Sequence, residues 1–364
     1  GDHRDLHSFP TRRSSDLENS SAVGSQNTAS GNFSSAVGSQ NAASGNSSSA
    51  VGNYNTASGN SSSAVGNYNT ASGWASSAVG VENTASGNFS SAVGNNNTAS
   101  GVSSSAVGNS NTASQLESSA LGVWNVASGD FSSALGRGNK ASGENSSAVG
   151  YENEASGVSS SAVGAGNTAN ALFSNAVGSG ILKDWVGIDS SGVIFQIGGM
   201  DIVTTAKTIA ELTVDNLTSV DGKVLTTQEK IAFVSMLQQG SNTASGFASS
   251  ALGVSNLAKG TASQAVGFGN QATGENSSAV GSQNTASGES SFAVGLVNRA
   301  SGWASSAVGS RNTASGDYSF AVGYRNTASG WASSAVGFGN QATGENSSAV
   351  GYNNKASKTN SSVF

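Results

Sequence analysis

Apolar and polar residues repeat along this chain with a period of fourteen. An Ala-Val/Leu-Gly triplet begins at Ala22 and recurs at every fourteenth residue up to Ala176, and a second run extends from Ala251 to Ala349. Numbered from Ser20 as position 1, the repeat reads S-S-A-V-G-x-x-N-x-A-S-G-x-x. It contains two short alternating segments, each followed by glycine, which is typical of β-strands closed by turns. So strict a period predicts a stack of similar coils, a solenoid.

Two columns of the repeat are expected to hold the stack together. Glycine occupies position 5 of every coil, where we expect a corner with positive φ. Asparagine occupies position 8, except for Ile181 where the first run ends. Stacked coils lie about 4.8 Å apart, so these amides are expected to hydrogen-bond in a ladder. The structural residues of the first three coils are Gly24, Gly38, Gly52, Asn27, Asn41 and Asn55.

A single coil has too little apolar surface to be stable alone. Burial of one Val and two Ala per coil returns much less free energy than the ordering of fourteen backbone residues costs. Neighbouring coils add backbone hydrogen bonds, but small residues remain on more than one face. We therefore expect several chains to pack together along their Ala/Ser/Gly faces.

Residues 181–240 differ in composition from the repeats, because they contain every Ile and both Met of the chain. The stretch DWVGIDSSGVIFQIGG predicts a hairpin that turns at residues 190–192. LTTQEKIAFVSMLQQG predicts a helix with Thr226 and Glu229 as a capping box and Gly240 just past its end. We predict a small α+β insert or spacer, with a separate binding module as the alternative.

The register between the two runs is open at this stage. Ala176 and Ala251 are 75 residues apart, which is not a multiple of 14. The second run therefore need not continue the first in register.

The first seventeen residues do not follow the repeat. GDHRDLHSFPTRRSSDL matches the translation of a common sequencing-library adapter, so we exclude it from fold reasoning and expect it to be disordered. It holds the only histidines, His3 and His7, and the only proline, Pro10. The chain enters the repeat at Glu18 and leaves it within a coil, and we expect both ends to be cut by sequencing.

Composition and charge narrow the possible functions. The chain has 49 Gly, 10% charged residues and a net charge of −6. A nucleic-acid partner would call for a basic stripe, so none is expected. Without the adapter segment there is no His or Cys, and carboxylates such as Glu82, Glu144 and Glu275 vary between coils as surface residues do. We expect no enzyme activity, no cofactor and no metal site.

Large aromatic side chains recur at the variable positions 6, 7, 13 and 14. We expect these positions to be exposed beside the glycines, where Trp and Tyr could form adhesive contacts. The alternative is that the rings pack on the neighbouring coil or chain. The candidate ligand-binding residues are Tyr54, Tyr68, Trp74, Trp124, Trp303, Tyr324 and Trp331.

The stretches ENSSAVGSQNTASG at 18–31 and ENSSAVGYENEASG at 144–157 resemble the head repeat of trimeric autotransporter adhesins of the YadA type. That repeat reads roughly N-S-x-A-(I/V)-G-x-x-x-x-A-x-G, and here Val or Leu replaces its frequent Ile. The resemblance implies a left-handed parallel β-roll, a homotrimer, and a place on the bacterial outer membrane. The chain shows no signal peptide, coiled-coil stalk or C-terminal membrane anchor, and we expect these parts to lie beyond its cut ends.

The sequence thus predicts an all-β solenoid with twelve coils over residues 18–180, an insert over 181–240 and eight coils over 241–364. Its expected function is that of an adhesin head, which attaches to host extracellular matrix, cells or other surfaces through reach and avidity. A phage tail-fibre shaft is the alternative. An ice-binding solenoid is a third hypothesis, but it would require a doubled Thr array, and Thr occurs at most once per coil in the NTA corner.

Overall fold

The computed structural model describes residues 19–179 and 242–364, together with the backbone of three short strands between them. The chain divides into two compact units, Gly1–Tyr151 and Glu152–Phe364. In each unit the repeats form a parallel β-solenoid with one coil per fourteen residues, and no helix occurs in the described ranges. The prediction of an all-β repeat solenoid is therefore confirmed. The segment 1–17, expected to be disordered, lies outside the described residues.

Each coil contains a long strand at positions 2 to 6 and a short strand at positions 9 and 10. The long strands of the first unit are Ser21–Ser25, Ser35–Ser39, Ser49–Asn53, Ser63–Asn67, Ser77–Val81, Ser91–Asn95, Ser105–Asn109, Ser119–Val123, Ser133–Arg137 and Ser147–Tyr151. Its short strands are Thr28–Ala29, Ala42–Ala43, Thr56–Ala57, Thr70–Ala71, Thr84–Ala85, Thr98–Ala99, Thr112–Ala113, Val126–Ala127 and Lys140–Ala141.

The second unit repeats the same pair of strands. Its long strands are Ser161–Ala165, Asn175–Ser179, Ser250–Val254, Gln264–Phe268, Ser278–Ser282, Phe292–Leu296, Ser306–Ser310, Phe320–Tyr324, Ser334–Phe338, Ser348–Tyr352 and the final Ser362–Val363. Its short strands are Glu154–Ala155, Thr168–Ala169, Thr243–Ala244, Leu257–Ala258, Gln271–Ala272, Thr285–Ala286, Arg299–Ala300, Thr313–Ala314, Thr327–Ala328, Gln341–Ala342 and Lys355–Ala356.

Neighbouring coils pair in parallel without any register shift. Ala22 lies opposite Ala36 on the long strands, and Thr84 lies opposite Thr98 on the short strands. Each residue therefore has the equivalent residue of the next coil as its neighbour. The fourteen-residue period of the sequence becomes a set of straight columns of like side chains.

The interior of the coil is filled by small and polar residues. The alanines at positions 3 and 10, the serine at position 1 and the asparagine at position 8 are buried in the stacked coils, as Ala50, Ala57, Ser48 and Asn55 illustrate. The expectation that Val is buried with the two alanines is wrong. Side chains alternate along a strand, so an inward Ala at position 3 places the Val of position 4 outside.

The asparagine column forms the predicted ladder. The Nδ2 of Asn55 donates to the Oδ1 of Asn41 at 2.9 Å, and to the backbone oxygens of Val51 at 3.0 Å and Gly66 at 2.8 Å. The Oδ1 of Asn55 accepts hydrogen bonds from the backbone N–H of Asn69 at 3.1 Å and from its Nδ2 at 2.9 Å. One buried amide thus connects three successive coils.

The position-5 glycine has the predicted positive φ but does not lie at a corner. Gly38 lies inside the strand Ser35–Ser39 with a φ of 120°. A Cβ there would overlap the carbonyl oxygen of Gly52 in the next coil. The chain turns instead at positions 7 and 14, where Gln26 and Phe33 adopt left-handed backbone with φ values of 56° and 57°.

Within the second unit, the second run continues the last coils of the first run in register. Ala176 lies opposite Ala251, and their strands pair in parallel. The short strands pair in the same way, with Ala169 opposite Ala244. The register between the two runs, which the sequence left open, is therefore continuous across the insert.

Asn242 closes the coil that the insert interrupts. Its Nδ2 donates to the Oδ1 of Asn167 at 3.0 Å, although the two residues are 75 positions apart, and it lies 3.4 Å from the carbonyl oxygen of Val177. Asn242 is therefore the position-8 residue of this coil, and Ile181 is not. The coil is described up to Ser179 at position 6 and again from Asn242 at position 8, so the insert interrupts it between these two positions.

Three antiparallel strands are described within the insert: Ile194–Ile197, Met200–Thr204 and Leu217–Val220. The first pairs with the second, and the second pairs with the third with a register shift at Val203 and Thr204. The predicted turn at residues 190–192 and the predicted helix in 225–240 lie outside the described residues. The predicted domain boundaries stay a prediction.

Candidate functional site: the aromatic corners

Every coil presents two corners to solvent, and each kind of corner carries aromatic side chains in some of the coils. Corner A denotes positions 6 and 7, at the end of the long strand, and corner B denotes positions 13 and 14, before the next long strand. Of the predicted site residues, Tyr54, Tyr68, Trp124 and Tyr324 lie at corner A, and Trp74, Trp303 and Trp331 lie at corner B.

Both corners are held by backbone hydrogen bonds between coils. At corner A, the N–H of Gln40 donates to the carbonyl oxygen of Ser25 at 2.9 Å. At corner B, the N–H of Ser47 donates to the carbonyl oxygen of Asn32 at 2.7 Å. Loop side chains are therefore displayed from a repeating and well-ordered backbone, which lowers the entropy that binding would cost.

A stacked tyrosine pair occupies corner A of the first unit. The ring centroids of Tyr54 and Tyr68 lie 4.6 Å apart with an interplanar angle of 11°. The coil spacing brings the two rings into this contact because both stand at position 7 of successive coils. About half of each side chain remains exposed, at 47% and 52%.

A guanidinium group lies between two rings further along the same corner. The Cζ of Arg137 lies 5.1 Å from the ring centroid of Trp124 and 5.5 Å from that of Tyr151. Both distances are within the range of cation–π attraction. Trp124 keeps 55% of its surface exposed.

Three rings form a stack at corner A of the second unit. Tyr324 and Phe338 lie 5.2 Å apart, and Phe338 and Tyr352 lie 5.0 Å apart, with interplanar angles of 23° and 13°. The Cζ of Arg325 lies 5.1 Å from the Tyr324 ring. Tyr324 is half-buried by these contacts.

Corner B carries edge-to-face pairs instead of stacks. Trp74 and Phe89 lie 4.4 Å apart with an interplanar angle of 82°, and Trp303 and Tyr318 lie 4.5 Å apart at the same angle. Tyr318 also contacts Trp331 at 5.8 Å and 76°. Offset and edge-to-face geometries are those that aromatic pairs prefer.

All seven predicted residues have a packing partner, and six of them also remain between 40% and 55% exposed. Each ring thus packs on a neighbouring coil, as the alternative interpretation expected, and still remains at the surface. A role of these rings in adhesion stays a prediction. Sequence reasoning missed Phe89, Tyr318, Tyr352 and Arg137. Their signal was a spacing of 13 to 15 residues from a neighbouring ring, which places them one coil away.

Other kinds of site have no support within the described ranges. No group of three or more His, Cys, Asp or Glu side chains there is placed to hold a metal ion. In the same part of the chain, no helix is long and apolar enough to cross a membrane.

The repeats match a known family. The protein-family model described as the YadA head domain repeat matches the chain at residues 18–41, 43–69, 71–97, 99–123, 127–153, 272–296, 300–326, 328–354 and 342–363. These segments cover more than half of the chain and occur in both runs of repeats, whereas residues 154–271, with the coils on either side of the insert, lie outside them. No curated protein matches the chain. The resemblance seen in the sequence is confirmed, and the chain belongs to the YadA head domain family of trimeric autotransporter adhesins.

Proposed function

We propose that this chain forms part of a homotrimeric adhesin head on the bacterial surface, which attaches the cell to host matrix, other cells or other surfaces. Heads of the family form homotrimers and bind surfaces. The observation that carries the proposal for this chain is the column of Val and Leu side chains along the outer face of its long strands, which runs beside the Ser of position 2.

The side chains of this column are partly exposed: Val is of intermediate burial in most coils, and Leu is more exposed. Position 4 holds Val or Leu in every coil, and Leu135 and Leu252 keep 47% and 45% of their surface exposed. The outward position 9 of the short strand is mostly polar, with Thr, Lys, Glu, Gln or Arg. Apolar surface that is continuous along one face of a soluble protein marks an interaction site. The long-strand face is the surface that further copies of the chain would cover.

Reach and repetition explain why such a head would contain many coils. Each added coil lengthens the stack by about 4.8 Å. It also adds two corners, and a trimer would repeat each corner three times. Weak contacts that are repeated in this way give strong attachment through avidity.

Light scattering on the purified chain is expected to give a mass near three times 35.6 kDa. The reason is that the Val/Leu column of the long strands is removed from water when further copies of the chain cover it, which favours association. A folded monomer at micromolar concentration would contradict the trimer, and with it the proposed use of avidity.

Placing aspartate on the long-strand face is expected to dissociate the trimer. The variant carries Val308→Asp and Val322→Asp, on two adjacent long strands. Like charges brought together in an interface cost several kcal/mol, on the order of a hundredfold or more in affinity. Sedimentation velocity would report the loss of trimer.

The matched control carries Thr313→Asp and Thr327→Asp, which are also half-exposed and adjacent, on the short strand. It places the same two charges at the same coil spacing but on the polar face, so it is expected to remain trimeric. Beads coated with the control should still bind an extracellular-matrix layer, whereas beads coated with the Val variant should lose most of that binding. Equal adhesion by both would contradict the proposed function.

A further inference from the structure

The last coils of the second unit carry an exposed aromatic strip at corner B. Trp303, Tyr318 and Trp331 come from three successive coils and keep 40%, 49% and 49% of their surface exposed. Their rings meet edge to face, at 82° and 76°. In such an arrangement the rings do not cover one another's faces as a parallel stack does, so ring faces remain for a ligand.

Carboxylates alternate with the tryptophans along this strip. Position 13 of five successive coils reads Glu289, Trp303, Asp317, Trp331 and Glu345, and all five side chains are exposed. The backbone N–H of Trp303 donates to the Oδ1 of Asp317 at 2.8 Å, which fixes this carboxylate between the two indoles. We call Glu289, Trp303, Asp317, Trp331 and Glu345, together with Tyr318, the acidic aromatic strip.

Positions 13 and 14 carry no positive charge, because no Lys or Arg occupies either of them in the described coils. Arg311 and Arg325, in the same stretch of chain, lie at corner A, and Arg299 lies on the short strand. Lys358, at position 12, lies one coil beyond Glu345, the last carboxylate of this series. At positions 13 and 14 of these five coils, the only charged side chains are therefore carboxylates, and Lys358 adjoins only the last of them.

This chemistry selects a cation. Ring faces carry a negative quadrupole potential that attracts ammonium and guanidinium groups, and the carboxylates add direct charge attraction while repelling acidic partners. We infer that the acidic aromatic strip binds a lysine- or arginine-rich segment of a partner protein in extended conformation. The inference names a partner chemistry for the proposed adhesive function and rests on it.

The spacing of the strip suits an extended segment. Tryptophans two coils apart are separated by about 9.6 Å, with a carboxylate midway between them. Side chains on one face of an extended strand recur about every 6.6 to 6.8 Å. The spacing of the strip and that of the extended strand differ by a few ångströms, which flexible Lys or Arg side chains can span. Basic side chains of the segment can therefore contact an indole and a carboxylate alternately.

The first unit offers an internal comparison. Trp74 and Phe89 have nearly the same pair geometry as Trp303 and Tyr318, at 4.4 Å and 82°. There the backbone N–H of Trp74 donates to the neutral Asn88, at 3.0 Å. Position 13 of the coils on either side holds Asn60 and Val102, so this pair lacks the carboxylates.

The test measures binding of fluorescein-labelled decalysine to the full chain by fluorescence anisotropy, with labelled decaglutamate as the acidic comparison. Decalysine is expected to bind, and to bind more weakly as salt is raised. The variant with Trp303→Ala and Trp331→Ala should lose about five- to thirtyfold in affinity, as two exposed cation–π contacts imply. The variant with Glu289→Gln, Asp317→Asn and Glu345→Gln should lose a similar amount.

The variant with Trp74→Ala and Phe89→Ala is the matched control and should bind decalysine as the parent chain does. The inference is overturned if decalysine does not bind, if only the carboxylate variant loses affinity, or if the control loses as much as the Trp303 and Trp331 variant. Light scattering on the same samples separates the two proposals. A trimer that ignores decalysine contradicts the strip alone, whereas a monomer contradicts the adhesin head.

Discussion

Replacement of Gly267 by alanine is expected to destabilise the second unit far more than replacement of Gly269, two residues away. Gly267 has a φ of 116°, and a Cβ there would overlap the carbonyl oxygen of Gly281 and lie 3.2 Å from the Nδ2 of Asn270. The added methyl group would therefore push the next coil out of register with its strand and disturb the amide ladder. We expect a loss of about 4 kcal/mol or more in unfolding free energy.

Gly269 supplies the matched control because its position accepts side chains in other coils. It has a φ of 62°, and a Cβ would make only an ordinary contact at 3.6 Å with the Cγ of Gln283. Trp124 occupies the same position with a φ of 55°. Gly269→Ala should cost about 1 kcal/mol, from the left-handed backbone alone. Urea unfolding followed by circular dichroism measures both variants, and equal midpoints would contradict the assigned role of position 5.

Replacement of Asn97 by aspartate is the second change expected to have a large effect. The Nδ2 of Asn97 donates to the Oδ1 of Asn83 at 2.9 Å and to the carbonyl oxygens of Val93 and Gly108 at 3.0 and 2.8 Å. A carboxylate cannot donate these bonds, and it would place a buried charge against three oxygens. We expect a loss of about 3 to 5 kcal/mol in unfolding free energy.

The neighbouring Asn96 provides the control for the same chemical change. It lies at corner A, where its exposed amide makes one long contact of 3.5 Å to the Oγ of Ser110. Asn96→Asp should therefore change the unfolding free energy by less than about 0.5 kcal/mol. Hydrogen exchange of the Asn97 coil would localise the damage, since each coil contacts only its neighbours. Similar protection in both variants would show that the ladder contributes little.

Much of the fold followed from the repeat itself. Periodic Ala-Val-Gly triplets and Asn predicted stacked coils, because equivalent residues must meet when coils of equal length stack. The asparagine ladder followed from the same reasoning, and the hydrogen bonds of Asn55 are those expected. The exposure of the corner aromatics also followed, since the variable positions of a solenoid are those that face solvent.

Other features depended on geometry that a consensus does not contain. Counting Val among the buried residues failed because alternation on the strand assigns Ala to the inside and Val to the outside. The aromatic pairs were missed because Trp303 and Tyr318 are fifteen residues apart, and only the stacking of coils makes that separation a contact. The position-8 residue of the interrupted coil was assigned wrongly to Ile181, because the insert separates Asn242 from the rest of its coil in the sequence.

The sequence by itself determined the solenoid, its fourteen-residue coil and the columns of like residues, because a strict short period leaves few other ways to bury alanine and satisfy backbone groups. The tertiary structure decided which face of each strand is inside, which ring meets which, and that the coils continue across the insert. These outcomes arise from side-chain direction and from the roughly 4.8 Å between stacked coils, which act in three dimensions and not along the chain.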